Sequence, residues 1–301
     1  MVKKKFQGTG TALVTPFKKD GSIDEPALRR LVDLQVRGGI DMLFPCGTTG
    51  EGATLEPEEA DRVLSIVMQE TRGRALVILG AGSNSTSKAV YGAERARRLG
   101  ADGVLSVGPY YNKPTQAGFF EHFKAVAEAG CPVIVYNVPS RTGSNIEAAT
   151  MLRIAQIPNI VGTKEASGNL VQMMEIIRNR PPDFCVLSGD DALALPLIAV
   201  GGDGLVSVVS NEAPALVSAL VNLALEGDMK RARDIQYRLL PLMNANFVES
   251  NPIPVKAVLS MMGLIEENYR LPMVPLSPQH RAPLQKIAED LGLIQSVGVR
   301  R

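Results

Sequence analysis

Eight short apolar runs alternate with helical segments along this chain of 301 residues. Most of the runs are continuously apolar, which is typical of parallel strands that are covered on both faces. Between the second and third runs, apolar residues from 60 to 68 recur at the i, i+3, i+4 spacing of a helix face. The predicted strands are 10–14, 41–45, 75–81, 103–107, 132–137, 160–164, 185–189 and 204–208.

Eight repeats of strand and helix predict an α/β fold, a (β/α)8 TIM barrel, over residues 1–226. A doubly wound sheet is the structural alternative, but no G-x-G-x-x-G follows the first strand. Residues 227–301 are predicted to form a C-terminal helical region, with helices near 229–249, 254–263 and 280–292. We interpret this region as an appendage of the barrel and not as an independent domain.

Composition argues against several classes of protein. The net charge of +1 gives no reason to expect binding to nucleic acid or to an anionic membrane. The basic start MVKKKF is not followed by the apolar segment of a signal peptide. Three widely spaced cysteines argue against a disulfide framework and against a zinc site. We therefore expect a cytoplasmic protein with no metal.

Polar motifs follow the predicted strands, where (β/α)8 barrels carry their chemistry. Strand 2 ends in CGTTGEG, strand 4 in GPYYN, strand 5 in YNVPSRTG, strand 6 in TKEASG and strand 7 in SGDD. A further motif, GGDG at 201–204, looks like a phosphate loop but precedes strand 8, so it is predicted to be a structural turn at the opposite end of the barrel.

Lys164 stands at the end of the apolar run of strand 6. A solvated lysine has a pKa of about 10.4, and burial lowers that pKa enough to make the amine a nucleophile. The alternative is a salt bridge with Glu165 or with a distant aspartate, and Glu165 is poorly placed for it because adjacent strand residues point to opposite faces. Position alone does not decide between these two roles.

The neighbouring motifs favour the nucleophile. The Tyr136 hydroxyl, passing protons through Thr48, could serve the proton transfers next to an imine, although a core tyrosine is a common alternative. The GTTG turn could hold a carboxylate through N–H groups and hydroxyls, but a lone GTTG is more often a plain turn. Arg141 could bind a second carboxylate, although a lone arginine is more often a solvated surface charge.

These motifs together resemble the dihydrodipicolinate synthase family of pyruvate-dependent class I aldolases. The likeness covers essentially the whole chain, in order, through GTGTALVTPF, PCGTTGE, GPYYNKPTQ, YNVPSRTG, GTKEASGN, LSGDD and NPIPVK. The lysine, the tyrosine and GTTGE are shared with sister enzymes such as N-acetylneuraminate lyase. The arginine of YNVPSRTG is the more specific mark of the synthase.

The resemblance implies a catalytic set. Lys164 would form an imine with pyruvate, while Tyr136, Thr48 and Tyr111 would relay protons. Tyr111 is expected to come from the neighbouring subunit of a tight dimer. Because the imine itself is the electron sink, no metal or organic cofactor is expected.

The resemblance also implies a substrate-binding set. Thr49 would hold the carboxylate of pyruvate, and Arg141 would hold the carboxylate of L-aspartate 4-semialdehyde. Gly189 and Val206 would shape the pocket floor through their backbones. The implied assembly is a homotetramer built as a dimer of dimers, and the implied product, 4-hydroxy-tetrahydrodipicolinate, enters diaminopimelate and lysine biosynthesis.

Two alternatives remain at this point. A sister aldolase or lyase acting on a sugar acid or hydroxy-oxo acid would keep Lys164 and Tyr136 but would have less use for Arg141. A binding module that kept the fold and lost catalysis is the more remote alternative, because every implied catalytic residue is present.

The chain departs from the pattern of those family members that lysine inhibits. Asn84 and Tyr110 match the pattern, but Lys88 stands where a glutamate is expected to face the effector's ammonium group. Pro57 and Ala60 stand where some inhibited members have histidines. The resemblance therefore predicts an enzyme that lysine does not inhibit at physiological concentrations.

Overall fold

A computed structural model describes residues 4–295. Eight parallel strands form a closed barrel in sequence order, and β8 pairs with β1 to close it. This confirms the predicted (β/α)8 fold. The strands are β1 Gly8–Ala12, β2 Met42–Phe44, β3 Leu76–Gly80, β4 Gly103–Val107, β5 Val133–Asn137, β6 Ile160–Glu165, β7 Cys185–Ser188 and β8 Gly204–Ser207.

Helices connect the strands and cover the outside of the barrel. They are α1 Glu25–Arg37, α2 Pro57–Thr71, α3 Thr86–Leu99, α4 Gln116–Glu128, α5 Pro139–Thr142, α6 Ala148–Ile154, α7 Leu170–Asn179, α8 Ala194–Ala199, α9 Pro214–Leu225, α10 Met229–Ala245, α11 Ile253–Met261 and α12 Pro278–Asp290. The last three are the predicted helices of the C-terminal region, each ending two to four residues earlier than its predicted range. Within residues 4–295, no helix has both the length and the apolar character needed to cross a membrane.

The first strand begins and ends two residues earlier than predicted. Gly8 starts the ladder because its N–H donates to the carbonyl of Asp203 at 2.9 Å and its neighbour in register is Gly204. Val14 lies beyond the ladder because its N–H donates to the side chain of Asn211 at 3.2 Å. Leu13 and Val14 are therefore buried without being part of the strand.

The GGDG segment forms a turn that leads into β8, as predicted, and its last glycine, Gly204, is the first residue of that strand. Gly201 adopts a φ of 99°. The Asp203 carboxylate accepts from the N–H of Val186 at 2.8 Å and lies 3.1 Å from the Lys4 amine. These bonds join the N-terminal ends of β7 and β8, at the end of the barrel opposite to the polar motifs.

Three groups of apolar residues form the interior. One fills the barrel itself and includes Phe44, Tyr136 and Val206. A second lies between the strands and the surrounding helices. The third joins α8 and α9 to the C-terminal region, where Leu220 of α9 belongs to the same core as Leu239 of α10. The C-terminal region therefore shares buried apolar surface with the barrel.

Candidate active site

Lys164 and Tyr136 meet at the carboxyl end of the barrel. The register of β5 and β6 places the two residues side by side, and the Lys164 amine lies 4.4 Å from the centroid of the Tyr136 ring. Lys164 is buried, and none of the ion pairs among residues 4–295 includes it. Glu165 points to the other face, where its carboxylate accepts from the N–H of Ser167 at 2.8 Å and from the Asn137 amide at 3.1 Å. A salt bridge between Lys164 and Glu165 is therefore not formed.

Burial lowers the pKa of Lys164 to about 8. The nearby Asp191 carboxylate raises this pKa and the Arg141 guanidinium lowers it, but both effects are smaller than that of burial. A pKa of about 8 leaves about a tenth of the amine neutral at pH 7, compared with about one molecule in a few thousand for a solvated lysine. The site can therefore supply a nucleophilic amine at neutral pH.

Tyr136 is suited to donate and pass on a proton. Only 7% of the residue is exposed, and burial raises the pKa of its hydroxyl to about 12. The hydroxyl therefore stays protonated at neutral pH and can act as a hydrogen-bond donor toward a group on Lys164. Its position in β5, beside β6, fixes the ring against the Lys164 side chain.

The GTTG loop follows β2 and brings Thr48 and Thr49 to the same end of the barrel. Thr48 is exposed on the wall of a cavity, whereas Thr49 is buried and its Oγ1 accepts from the Asn251 amide at 2.9 Å. The loop is tight: a Cβ on Gly52 would lie 2.0 Å from the carbonyl oxygen of Cys46, so that no side chain fits there. The backbone at the end of the loop therefore packs directly against the backbone at its start, where the Gly52 N–H donates to the carbonyl of Gly47 at 3.1 Å.

The cavity at the barrel mouth has a volume of about 470 Å³. The barrel contributes Thr48, Tyr136 and Arg141 to its wall, and the C-terminal region contributes Asn251 and Met273. Lys164 is not part of the wall, but Tyr136, which is, has its ring centroid 4.4 Å from the Lys164 amine. The threonine loop, Tyr136 and Arg141 therefore face one shared cavity, whose size suits a small ligand.

Gly189 and Val206 lie on the inner side of the site. A Cβ on Gly189 would fall 3.0 Å from Cε of Lys164 and 2.8 Å from Cβ of Ala166. Glycine at this position therefore leaves room for the lysine side chain. Val206 is fully buried in the interior of the barrel, in the same apolar cluster as Tyr136.

Arg141 and Tyr111 are both exposed, unlike Lys164 and Tyr136, but Arg141 lines the cavity and Tyr111 does not. Arg141 is exposed on the short helix α5, and none of the ion pairs among the described residues includes it. Tyr111 is 90% exposed with a φ of 74°, and Tyr110, not Tyr111, lines the cavity of the same chain. One chain thus brings together Lys164, Tyr136, the threonines and Arg141, but not Tyr111.

Sequence reasoning missed the contribution of the C-terminal region. Asn251 binds Thr49, and Lys256 of α11 forms a buried ion pair with Glu51 at 2.5 Å, directly after the GTTG loop. The only sequence signal for these contacts is that both partners lie in the quoted motifs GTTGE and NPIPVK. Asp191 of the SGDD motif was also missed; it is buried, bonded to the Ser207 hydroxyl and to the N–H of Val208.

A model described as the dihydrodipicolinate synthetase family matches residues 5–291. The chain belongs to that family. It is 55% identical to the 4-hydroxy-tetrahydrodipicolinate synthase of Koribacter versatilis (strain Ellin345), over 98% of this chain and 99% of the relative. The family predicted from the motifs is thereby confirmed.

Solved structures of the family agree with the barrel described here. The dihydrodipicolinate synthase from Aquifex aeolicus is 44% identical and superposes with a TM-score of 0.93, over 96% of this chain and 99% of that chain. The dihydrodipicolinate synthase from Cyanidioschyzon merolae, solved with lysine bound, is 41% identical with a TM-score of 0.94, over 97% of this chain and all of that chain (100%).

Proposed function

We propose that the protein condenses pyruvate with L-aspartate 4-semialdehyde to give 4-hydroxy-tetrahydrodipicolinate, with Lys164 as the Schiff-base residue. The activity is that of the curated relatives, which align over nearly their full length. The observation that carries the assignment of Lys164 is its buried amine, unpaired by any carboxylate among the described residues and 4.4 Å from the Tyr136 ring. Neither a sister aldolase nor a non-catalytic binding module has comparable support.

The proposed chemistry begins with addition of the Lys164 amine to the ketone carbon of pyruvate, and loss of water gives the imine. Loss of a proton from the methyl carbon gives the enamine, with the imine nitrogen taking up the electron pair. The enamine carbon then attacks the aldehyde carbon of the semialdehyde. Finally, the amino group of that substrate adds to the imine carbon and displaces Lys164, which closes the ring and restores the free amine.

Three residues are proposed to move the protons of these steps. Tyr136 would donate to the carbinolamine oxygen as water leaves, because its hydroxyl is protonated and its ring lies beside the Lys164 amine. Thr48, on the cavity wall, would pass protons onward to Tyr111 of a neighbouring subunit. The Thr49 hydroxyl would bind the pyruvate carboxylate, with the backbones of Gly189 and Val206 shaping the floor.

Borohydride trapping tests the imine and its pH dependence. Burial lowers the pKa of Lys164 from 10.5 to about 8, so the neutral fraction rises about tenfold per pH unit below pH 8 and levels off above it. We expect the initial rate of imine formation at low pyruvate, quenched with borohydride and read by mass spectrometry, to follow that curve. A rate that keeps rising tenfold per unit between pH 8.5 and 10 would show an ordinary lysine pKa.

Arg141 is proposed to bind the carboxylate of the second substrate. Arg141→Ala should raise the KM for L-aspartate 4-semialdehyde some tens to hundreds of fold, because a bidentate carboxylate partner is worth about 2–4 kcal/mol. Trapping of the pyruvate imine should change little. Arg37→Ala is a suitable control, since Arg37 lies on the surface of α1 and pairs with Asp33. Equal damage to the use of both substrates would make Arg141 a structural residue.

Lysine is expected not to inhibit this enzyme at physiological concentrations. Lys88 is exposed on α3, and a positive charge there would repel the ammonium of lysine by roughly 1–4 kcal/mol at about 4 Å. The expected half-inhibition therefore lies above about 1 mM, which corresponds to a binding energy near −4 kcal/mol. The reverse change, Lys88→Glu, should increase sensitivity, with Lys88→Gln as the control for loss of charge alone. Submillimolar inhibition of the unaltered protein would refute the prediction.

We also propose a homotetramer arranged as a dimer of dimers. The family is typically oligomeric, although one solved relative is described as a monomeric variant. Two separate apolar surfaces support two kinds of interface: Tyr110 and Tyr111 after β4, and Val171 and Met174 on α7, all at least 40% exposed.

We also propose that the chain divides into a barrel of residues 1–226 and a C-terminal helical region. A cytoplasmic location is likewise a proposal.

A further inference from the structure

The C-terminal region touches the GTTGE loop at two buried points. The Asn251 side chain, between α10 and α11, donates from Nδ2 to Oγ1 of Thr49 at 2.9 Å. The Lys256 amine, inside α11, donates to Oε1 of Glu51 at 2.5 Å. All four side chains are at most 4% exposed. Each contact joins residues more than 200 positions apart in the chain.

The Lys256–Glu51 pair is fixed from several sides. Aromatic rings flank the amine, with the centroid of Phe17 at 4.6 Å and that of Tyr269 at 5.0 Å. The second carboxylate oxygen of Glu51 accepts from the N–H of Arg270 at 3.2 Å. Because the pair is removed from water, loss of either partner leaves an uncompensated buried charge. The pair therefore acts as a rigid attachment point for the residue that ends the loop.

The attachment matters because Glu51 has an unusual backbone. Its φ is 52°, in the left-handed region that residues with a side chain seldom adopt, and such conformations persist where the surroundings enforce them. Glu51 follows Thr48, Thr49 and Gly50 directly, and its N–H donates to the carbonyl of Thr48 at 3.1 Å. The directions of the loop's N–H groups therefore depend on where Glu51 is held.

Asn251 acts on the Thr49 hydroxyl itself. A hydroxyl group has one proton to donate and lone pairs that accept. Since the amide of Asn251 donates to Oγ1, the Thr49 proton is left to point to another acceptor. Asn251 also lines the cavity, so that the hydroxyl is oriented beside the space that a substrate carboxylate would occupy.

We propose that Asn251 and Lys256 are positioning residues through which the C-terminal region sets the carboxylate-binding geometry of the GTTG loop. Lys256 holds the loop through Glu51, and Asn251 orients the Thr49 hydroxyl. The inference rests on the proposed function in one respect, namely that the anion received by the loop is the carboxylate of pyruvate. Neither residue exchanges a proton with the reacting atoms in this proposal.

The test compares two ketones that differ only at the carboxyl group. Pyruvate and methyl pyruvate both offer a ketone to Lys164, but only pyruvate carries an anion. Asn251→Ala should raise the half-saturating concentration for borohydride trapping of pyruvate about tenfold, the expected effect if the unoriented Thr49 hydroxyl loses its hydrogen bond to the charged carboxylate. Trapping of methyl pyruvate should stay within about twofold of the unaltered protein.

Further variants separate positioning from folding. Asn251→Asp keeps the shape but cannot donate to Thr49 and adds a negative charge, so pyruvate binding should weaken more than in Asn251→Ala. Lys256→Met should also affect pyruvate selectively, and Lys256→Arg should recover part of the loss. The control is Lys286→Met, because the Lys286 amine makes an ion pair of the same 2.5 Å length with Asp290 on the exposed face of α12.

The outcomes are distinct. Selective loss of pyruvate trapping in the Asn251 variants supports the proposal. Equal loss with both ketones, or loss with neither, overturns it, even if Lys256→Met does not fold. If neither ketone labels Lys164 in the unaltered protein, the proposed function fails. If the unaltered protein is labelled but the variants show no preference between the two ketones, only the positioning proposal fails.

Discussion

Lys164→Arg is expected to lower the condensation rate by at least about three orders of magnitude. Arginine keeps the positive charge and approximate length of lysine, so the contact with the face of the Tyr136 ring, 4.4 Å from the lysine amine, can be retained. Its guanidinium stays protonated and cannot form the imine, so the covalent route disappears. The measurement is the steady-state rate with both substrates, together with mass spectrometry of the protein after pyruvate and borohydride.

The chain contains its own control for this assignment. Lys256 is a second buried lysine, and burial lowers its pKa, but its amine lies 2.5 Å from the Glu51 carboxylate, which opposes that shift and engages the amine in an ion pair. We expect borohydride to label Lys164 and not Lys256. Near-normal activity of Lys164→Arg, or a pyruvate adduct on Lys256, would contradict the assignment. Lys286→Arg, on the exposed face of α12, controls for the exchange of lysine for arginine.

The barrel could be predicted because its signal is local. Each strand of a barrel covered on both faces is a short apolar run, and eight such runs are visible without knowledge of the fold. The position of β1 was wrong by two residues because its limits are set by distant partners. The bond of Gly8 to Asp203 and that of Val14 to Asn211 join the two ends of the barrel sequence, and no local pattern reports them.

The candidate site likewise contains residues whose contacts could be predicted from the sequence and residues whose contacts could not. The proximity of Lys164 and Tyr136 could be predicted because the carboxyl ends of neighbouring parallel strands lie side by side. The register of β5 and β6, which pairs these two residues, confirms that proximity. Asn251 and Lys256 could not be placed, because their partners are 202 and 205 residues away and no strand order relates them. Their buried contacts with Thr49 and Glu51 are a property of the folded chain alone.

Tyr136→Phe is expected to cut the turnover number by about 10²–10⁴ while the fold stays intact. The ring would keep its place in the barrel interior and its contact with Lys164, but the protonated hydroxyl would be lost. The measurement is the turnover number, with circular dichroism to verify the fold. A turnover number within about threefold of the unaltered enzyme would make Tyr136 a core residue and not a relay residue.

Tyr111→Phe should cause a loss of similar size, about 10²–10⁴, and its partner can be tested by subunit mixing. If Tyr111 acts in the neighbouring subunit, a dimer of one Lys164→Arg chain and one Tyr111→Phe chain has one intact site, formed by Lys164 of the second chain and Tyr111 of the first. Random exchange of equal amounts makes about half of the dimers mixed, so activity should return to about a quarter of the unaltered level.

Mixing Lys164→Arg with Tyr136→Phe is the matched control. Those residues meet within one chain, at 4.4 Å, and no mixed dimer regains an intact site. If exchange is demonstrated and the first mixture stays as inactive as the second, Tyr111 does not complete the site of its neighbour. Its 90% exposure in the single chain then needs another cause.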